Sequence, residues 1–133
     1  MLLICLLPLT AQAEWIHAFT ESSGNDVLYD KKIVSVTDDI KKITVRTYYS
    51  EKGKSDFMRT LVSRGRDVRG YVNFSHSDTV WLVNCRKKES DLSSFAEYDT
   101  DYKIISTYNA REIMYGPIVP GTTGENLYKI ACE

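Results

Sequence analysis

Apolar and polar residues alternate with a period of two along most of the chain, which is the pattern of half-buried β-strands. The clearest case is the segment 43–49, where Ile43 and Val45 share one face and Thr44 and Arg46 the other. The pattern predicts strands at 15–20, 27–29, 33–37, 43–49, 80–86, 95–98 and 102–108. Because these segments follow one another with mostly short connections, we expect an antiparallel meander of about six strands.

The segment from Ser50 to Ser77 allows two interpretations. Ser55 could cap a helix with an apolar face, formed by Phe57, Met58, Leu61 and Val62. The same residues could instead pair as a hairpin with the segment 68–74. The helical spacing favours the helix slightly, and the hairpin stays open as the alternative.

The end of the chain predicts a second helix. Thr122 and Glu125 have the spacing of a capping box, in which a threonine and a glutamate satisfy backbone N–H groups at a helix start. Leu127, Ile130 and Ala131 follow at helical spacing. A helix over 122–132 with its apolar face on the sheet makes the expected fold class α+β.

Residues 1–13 read as a secretory signal peptide. An apolar run is followed by Ala11-Gln12-Ala13, which has the small residues typical of a cleavage site. The run is much shorter than the roughly 20 residues that span a bilayer, so no transmembrane span is expected. We therefore expect an exported protein, in the periplasm, on the outer-membrane surface or secreted, with residues 14–133 forming one domain.

The predicted export makes a disulfide bond between Cys85 and Cys132 the expected state of the two cysteines outside the signal peptide. Cys85 lies in a core-facing row with Trp81 and Val83, and Cys132 ends the predicted helix. The disulfide would therefore fasten the C-terminal helix to the sheet.

Enzymatic chemistry finds little support in the sequence. The two histidines, His17 and His76, stand outside nucleophile-elbow and metal-helix motifs, and we expect both at the surface. A disulfide would consume the cysteines that a zinc site would need. The expectation is a protein without enzymatic activity, metal or cofactor.

The charges point to a specific patch rather than to nucleic acid. The formal net charge is −1 at pH 7, which argues against a nucleic-acid partner. One basic cluster stands out, formed by Arg59, Arg64, Arg66 and Arg69. It is either a solvated face or a contact for an anionic partner such as a phosphate, a glycan sulfate or a lipid head group.

Several motifs together resemble the surface-adhesin protein E family of exported bacterial proteins. They are Trp15 after the signal, the segments 80–88, 97–99 and 103–106, the segment Tyr115-Gly116-Pro117-Ile118-Val119-Pro120-Gly121-Thr122-Thr123-Gly124-Glu125, then Leu127 and Cys132. The resemblance implies an antiparallel sheet with a disulfide-linked C-terminal helix. It also implies an adhesin for host matrix glycoproteins such as vitronectin and laminin, with dimers in that lineage.

Two functions from other classes remain as alternatives to adhesion. The first is a small periplasmic enzyme or ligand carrier, which would need a polar pocket with a perturbed ionisable group on the helix-bearing sheet face. A final helix that filled this face would weigh against a carrier. The second alternative is a structural subunit of a cell-envelope assembly.

Overall fold

The computed structural model describes residues 13–133, so the predicted signal peptide lies outside the described residues except for Ala13. The strands are β1 (Trp15–Thr20), β2 (Asp26–Asp30), β3 (Val34–Ser35), β4 (Ile40–Tyr48), β5 (Phe74–Asn84), β6 (Glu89–Asp99), β7 (Ile104–Asn109) and β8 (Gly116–Pro117). The helices are α1 (Glu51–Ser63) and α2 (Thr123–Cys132), and a short 3-10 helix covers Arg69–Tyr71. The expected α+β class is confirmed.

The strands form one antiparallel sheet in the order β1-β2-β4-β5-β6-β7. This path confirms the predicted meander, because each of its strands pairs with the next one along the chain. The two remaining strands have two residues each, and they add β3 to β4 and β8 to β6.

The core lies between the sheet and α2. Side chains from three neighbouring strands meet Leu127 of α2 in one buried cluster: Val27, Ile43, Val45 and Val83. The alternation seen in the sequence explains this placement, since successive side chains of a strand point to opposite faces. We call the face that carries this cluster the helix face, and the face with Arg46 and Tyr48 the open face.

Helix α1 confirms the helical interpretation of the segment after Ser50, although it begins earlier than predicted. Ser50, not Ser55, is the N-cap, and its hydroxyl accepts a hydrogen bond from the Gly53 N–H at 2.9 Å. The Oδ1 atom of buried Asn25 accepts from the Ser50 N–H at 2.9 Å, which ties the helix start to the β1–β2 turn. Val62, predicted on the apolar face, is 58% exposed.

Helix α2 begins where the capping box predicted. The Thr122 hydroxyl accepts from the Glu125 N–H, and the Glu125 carboxylate accepts in return from the Gly121 N–H at 2.6 Å. The return bond reaches Gly121 rather than the Thr122 N–H of the standard box. The hydrogen bond from the Gly121 N–H, together with the nearby Lys129 ammonium, lowers the pKa of Glu125.

The disulfide bond between Cys85 and Cys132 is present, with Cα atoms 5.6 Å apart. Cys85 directly follows β5, and Cys132 is the last residue of α2. The bond therefore joins the helix to the sheet, as predicted.

Three strand predictions were wrong in their limits. The predicted strand 33–37 is reduced to Val34–Ser35, and β5 begins at Phe74 rather than Val80. β6 begins at Glu89, six residues before the predicted start at Phe95. The missed parts of β5 and β6 are mostly polar in sequence. The missed part of β5 pairs with 95–99 of β6, and the missed part of β6 pairs with 80–84 of β5, so both complete the centre of the sheet.

Candidate functional site

Beside α2, the helix face carries an open cleft of about 410 Å³. It lies between α1, the 3-10 helix and the strands β5 to β7. Its lining residues include five aromatic side chains, namely Tyr49, Phe57, Tyr71, Phe95 and Tyr108. The final helix thus covers one part of the helix face and leaves this part accessible, so the argument against a ligand carrier does not hold here.

Glu97 forms the floor of the cleft. It lies two residues after Phe95 on β6, and so in the same row of side chains on the helix face. The residue is only 7% exposed, and its Oε2 atom is buried without a hydrogen-bond partner among the described residues. Buried polar atoms normally have partners, so this carboxyl group is an exception that calls for a functional explanation.

Burial raises the pKa of Glu97. The nearby Tyr71 hydroxyl and the Arg66 guanidinium favour the carboxylate, but burial outweighs both of them. A raised pKa in a cleft is one mark of a functional site. No local pattern in the sequence marks this residue, because most of β6 before Phe95 is polar.

Replacing Glu97 by glutamine is expected to stabilise the protein at neutral pH. The pKa of Glu97 is higher in the folded state than the ordinary value of 4.5. As the pH rises, the unfolded chain therefore loses this proton at a lower pH than the folded protein does. The free energy of unfolding falls until the pH has passed the raised pKa of the folded state. Because the variant lacks this loss, its Tm relative to the wild type should rise as the pH increases above the ordinary pKa of 4.5.

Calorimetry at a series of pH values measures this difference in Tm. Glu112→Gln, at an exposed position, serves as the matched control and should show no such trend. A difference between Glu97→Gln and the wild type that stays constant with pH would contradict the role of burial.

The aromatic residues of the cleft are fixed by contacts with one another. Phe57 of α1 stacks on Phe74 of β5, with ring centroids 4.9 Å apart, and Tyr49 packs against the same Phe74 ring at 4.7 Å. On the other side, Phe95 and Tyr108 stack across β6 and β7 at 5.3 Å. The cleft therefore has planar apolar walls above an acidic floor.

The four arginines of the predicted basic cluster divide into two pairs. Arg59 lies 3.4 Å from Asp56, and Arg69 lies 2.7 Å from Asp67, so each has a carboxylate beside it. Within residues 13–133, Arg64 and Arg66 have no ion-pair partner, and both line the cleft as exposed residues. The structure thus brings two of the four to the mouth of the cleft.

The histidines do not behave alike. His17 is exposed, as predicted, and hydrogen bonds join its ring to Asp26 and Thr20. The prediction for His76 was wrong, because this residue is 1% exposed. His76 belongs to β5.

On the open face, His76 lies within an aromatic cluster with Tyr48, Tyr98 and Tyr102, and its stack on Tyr98 has centroids 5.0 Å apart. Burial, together with the nearby Arg46 guanidinium, lowers its pKa. The buried ring packs against three tyrosine rings, which makes it part of the packing of the open face.

An ion pair extends the open-face cluster. The Arg46 guanidinium donates two hydrogen bonds to the Asp78 carboxylate, at 2.7 and 2.8 Å, and lies 4.4 Å from the centre of the Trp15 ring. The hydrogen bond to Asp78 raises the pKa of Arg46. The pair therefore holds β4 to β5 and anchors Trp15 of the edge strand β1.

The described residues contain no group of three or more histidine, cysteine, aspartate or glutamate side chains arranged for a metal ion. None of the helices in the described part of the chain is long and apolar enough to cross a membrane. The cleft offers one buried carboxyl group, two arginines, hydroxyl groups and aromatic walls, which is a set suited to binding.

Comparison with protein families matches residues 15–133 to the surface-adhesin protein E family. Neither the curated proteins nor the solved structures contain a significant match. The matched residues include both helices, all eight strands and both cysteines of the disulfide bond. The chain therefore belongs to the surface-adhesin protein E family, which indicates a surface adhesin.

Proposed function

We propose that this protein is an exported, non-enzymatic adhesin that binds host extracellular-matrix glycoproteins such as vitronectin and laminin. The observation that carries this proposal is the family match over residues 15–133. We further propose that residues 1–13 are removed as a signal peptide, that residues 14–133 act as one domain, and that two copies associate as a homodimer.

The basic cluster around α1 supplies the proposed contact with an acidic partner. Arg64 and Arg66 would contribute most, since no carboxylate of the described residues pairs with them. Arg59 and Arg69 would contribute less, because a partner must compete with Asp56 and Asp67. Exposed ion pairs are worth only about 0–1 kcal/mol, so this competition weakens the contact of Arg59 and Arg69 without preventing it.

Binding of purified residues 14–133 to immobilised vitronectin and laminin tests the proposal, with albumin as the control surface. We expect saturable binding that weakens with added salt, because exposed charges are screened within about 10 Å at 0.1 M ionic strength. The double variant Arg64→Gln/Arg66→Gln should weaken binding more than its matched control, Arg59→Gln/Arg69→Gln. Absence of saturable binding to either glycoprotein would overturn the proposal.

A ligand carrier is the second candidate function, and the cleft with its buried Glu97 is the observation that favours it. An enzyme is less well supported, because the residues that line the cleft include no histidine or cysteine to act with Glu97. A structural role in an envelope assembly predicts a stable complex in pull-down from envelope extracts.

A further inference from the structure

The buried carboxyl group of Glu97 lacks a hydrogen-bond donor for one of its oxygen atoms among the described residues. Its Oε2 atom has no partner within residues 13–133, and leaving a buried acceptor unsatisfied costs about 1–3 kcal/mol or more. The terminal torsion of a glutamate turns easily, so either oxygen can face the cleft. A ligand group that donates a hydrogen bond to this carboxyl group would remove the cost.

The walls above Glu97 select the shape of such a ligand. The stacked pair Phe95 and Tyr108 lies on one side, and Phe57 and Tyr49 lie on the other. Tyr108 is 45% exposed, so part of this apolar surface is open to solvent. Aromatic walls favour offset-stacked or edge-to-face contacts with another ring. A planar aryl group therefore fits better than a flexible chain.

The mouth of the cleft adds a charge requirement. Arg64 and Arg66 are both exposed there and make no ion pair with the described residues. Guanidinium groups bind carboxylates and phosphates with paired hydrogen bonds. The outer end of the ligand should therefore be anionic, whereas a cation at this end would be repelled.

We propose that the cleft between α1 and strands β5–β7 binds an aryl group that donates a hydrogen bond to Glu97 at its inner end and presents an anion to Arg64 and Arg66 at its outer end. A hydroxyaryl carboxylate has this chemistry. A tyrosine side chain beside acidic residues in a partner chain has it as well. The volume of about 410 Å³ falls in the range of small-molecule sites.

This site shares Arg64 and Arg66 with the proposed contact for matrix glycoproteins, but it does not rest on adhesion. It requires only the cleft and its charged groups, so failure of the matrix-binding assay would leave it standing. Failure of the ligand test would equally leave the adhesin proposal in place.

Titration of residues 14–133 with para-hydroxyphenylacetate, followed by backbone amide chemical shifts, tests the site. We expect saturable shifts centred on Phe95, Glu97 and Ser106. Phenylacetate lacks the donor and should bind about tenfold more weakly, because it leaves the buried Oε2 acceptor without a partner. This comparison uses only the wild-type protein and so does not depend on the folding of a variant.

Variants then assign the two ends of the ligand. Glu97→Gln should reduce the preference for the hydroxyl compound, and Arg64→Gln/Arg66→Gln should weaken both carboxylates. Arg59→Gln/Arg69→Gln is the matched control and should leave both affinities unchanged. Equal affinities for the two compounds in the wild type, or no saturable shift at millimolar concentration, would overturn the proposal.

A third probe distinguishes the two sources of this chemistry. A short acetylated peptide with tyrosine between two acidic residues carries the same groups on a peptide chain. Tighter binding of the peptide than of para-hydroxyphenylacetate would identify a partner-protein segment as the source, and tighter binding of the free compound would identify a small molecule. Both results support the site.

Discussion

Replacing Cys85 and Cys132 together by serine is expected to lower the free energy of unfolding by about 4 kcal/mol. The disulfide bond closes a loop with a sequence separation of 47 residues, and its loss restores that freedom to the unfolded chain. The loss also releases α2, which has 10 residues and is too short to be stable alone in water.

Urea unfolding of purified residues 14–133 measures this effect. The wild type in reducing buffer is the matched control and should unfold at the same midpoint as the double variant. A midpoint that is unchanged from the oxidised wild type would show that packing alone holds α2. Mass spectrometry of unreduced peptides separately checks that the two cysteines are joined in the purified protein.

Replacing Leu127 by alanine is expected to destabilise the protein by about 3 kcal/mol. Leu127 is 1% exposed and packs in the cluster with Val27, Ile43, Val45 and Val83. The truncation leaves a cavity between α2 and three strands of the sheet. Because the disulfide holds α2 on the sheet, the helix cannot detach to relieve the cavity.

Chemical denaturation of the folded variant gives this value directly. Met114→Ala is the matched control, since Met114 is 75% exposed and its truncation should change stability by less than about 0.5 kcal/mol. A loss at Leu127 as small as the loss at Met114 would contradict the packing of α2 on the sheet. Combining Leu127→Ala with the cysteine variant should give a less than additive loss, because both act on the docking of α2.

The parts of the fold with local signals were predictable from the sequence. The alternation in β1 and β4 and the Thr122 capping box are local patterns, because each lies within the element that it predicts. The pairing of Cys85 with Cys132 was predictable, because they are the two cysteines outside the predicted signal peptide of an exported protein. The strand patterns and the helix cap depend on residues close together in the sequence. The disulfide bond was predictable because each cysteine had a single available partner.

The failures come from residues whose environment is set by distant parts of the chain. His76 was expected at the surface, yet Tyr48 and Tyr98 on neighbouring strands pack against its ring. The start of β6 at Glu89 is polar, and pairing with β5 and β8 makes it a strand. Ser50 caps α1 with help from Asn25, a residue of the β1–β2 turn.

The candidate site was predicted only in part. The basic cluster was identified from composition, but its division into paired and unpaired arginines depends on the positions of Asp56 and Asp67. Before the structure, Glu97 stood out only as part of the segment 97–99 in the family resemblance. Its burial follows from the approach of α1 and the 3-10 helix to the sheet, which no local pattern in β6 specifies.

Contacts within the sheet and contacts of α2 differ in how far apart the contacting residues lie in the sequence. Each strand of the meander pairs with the next one on the path, so the sheet brings together mostly neighbouring segments of the chain. Helix α2 is different, because Leu127 packs against Val27 near the opposite end of the described residues. The contact order of the protein is therefore low within the sheet and high at α2, and the docking of this one helix carries the longest loop closure of the fold.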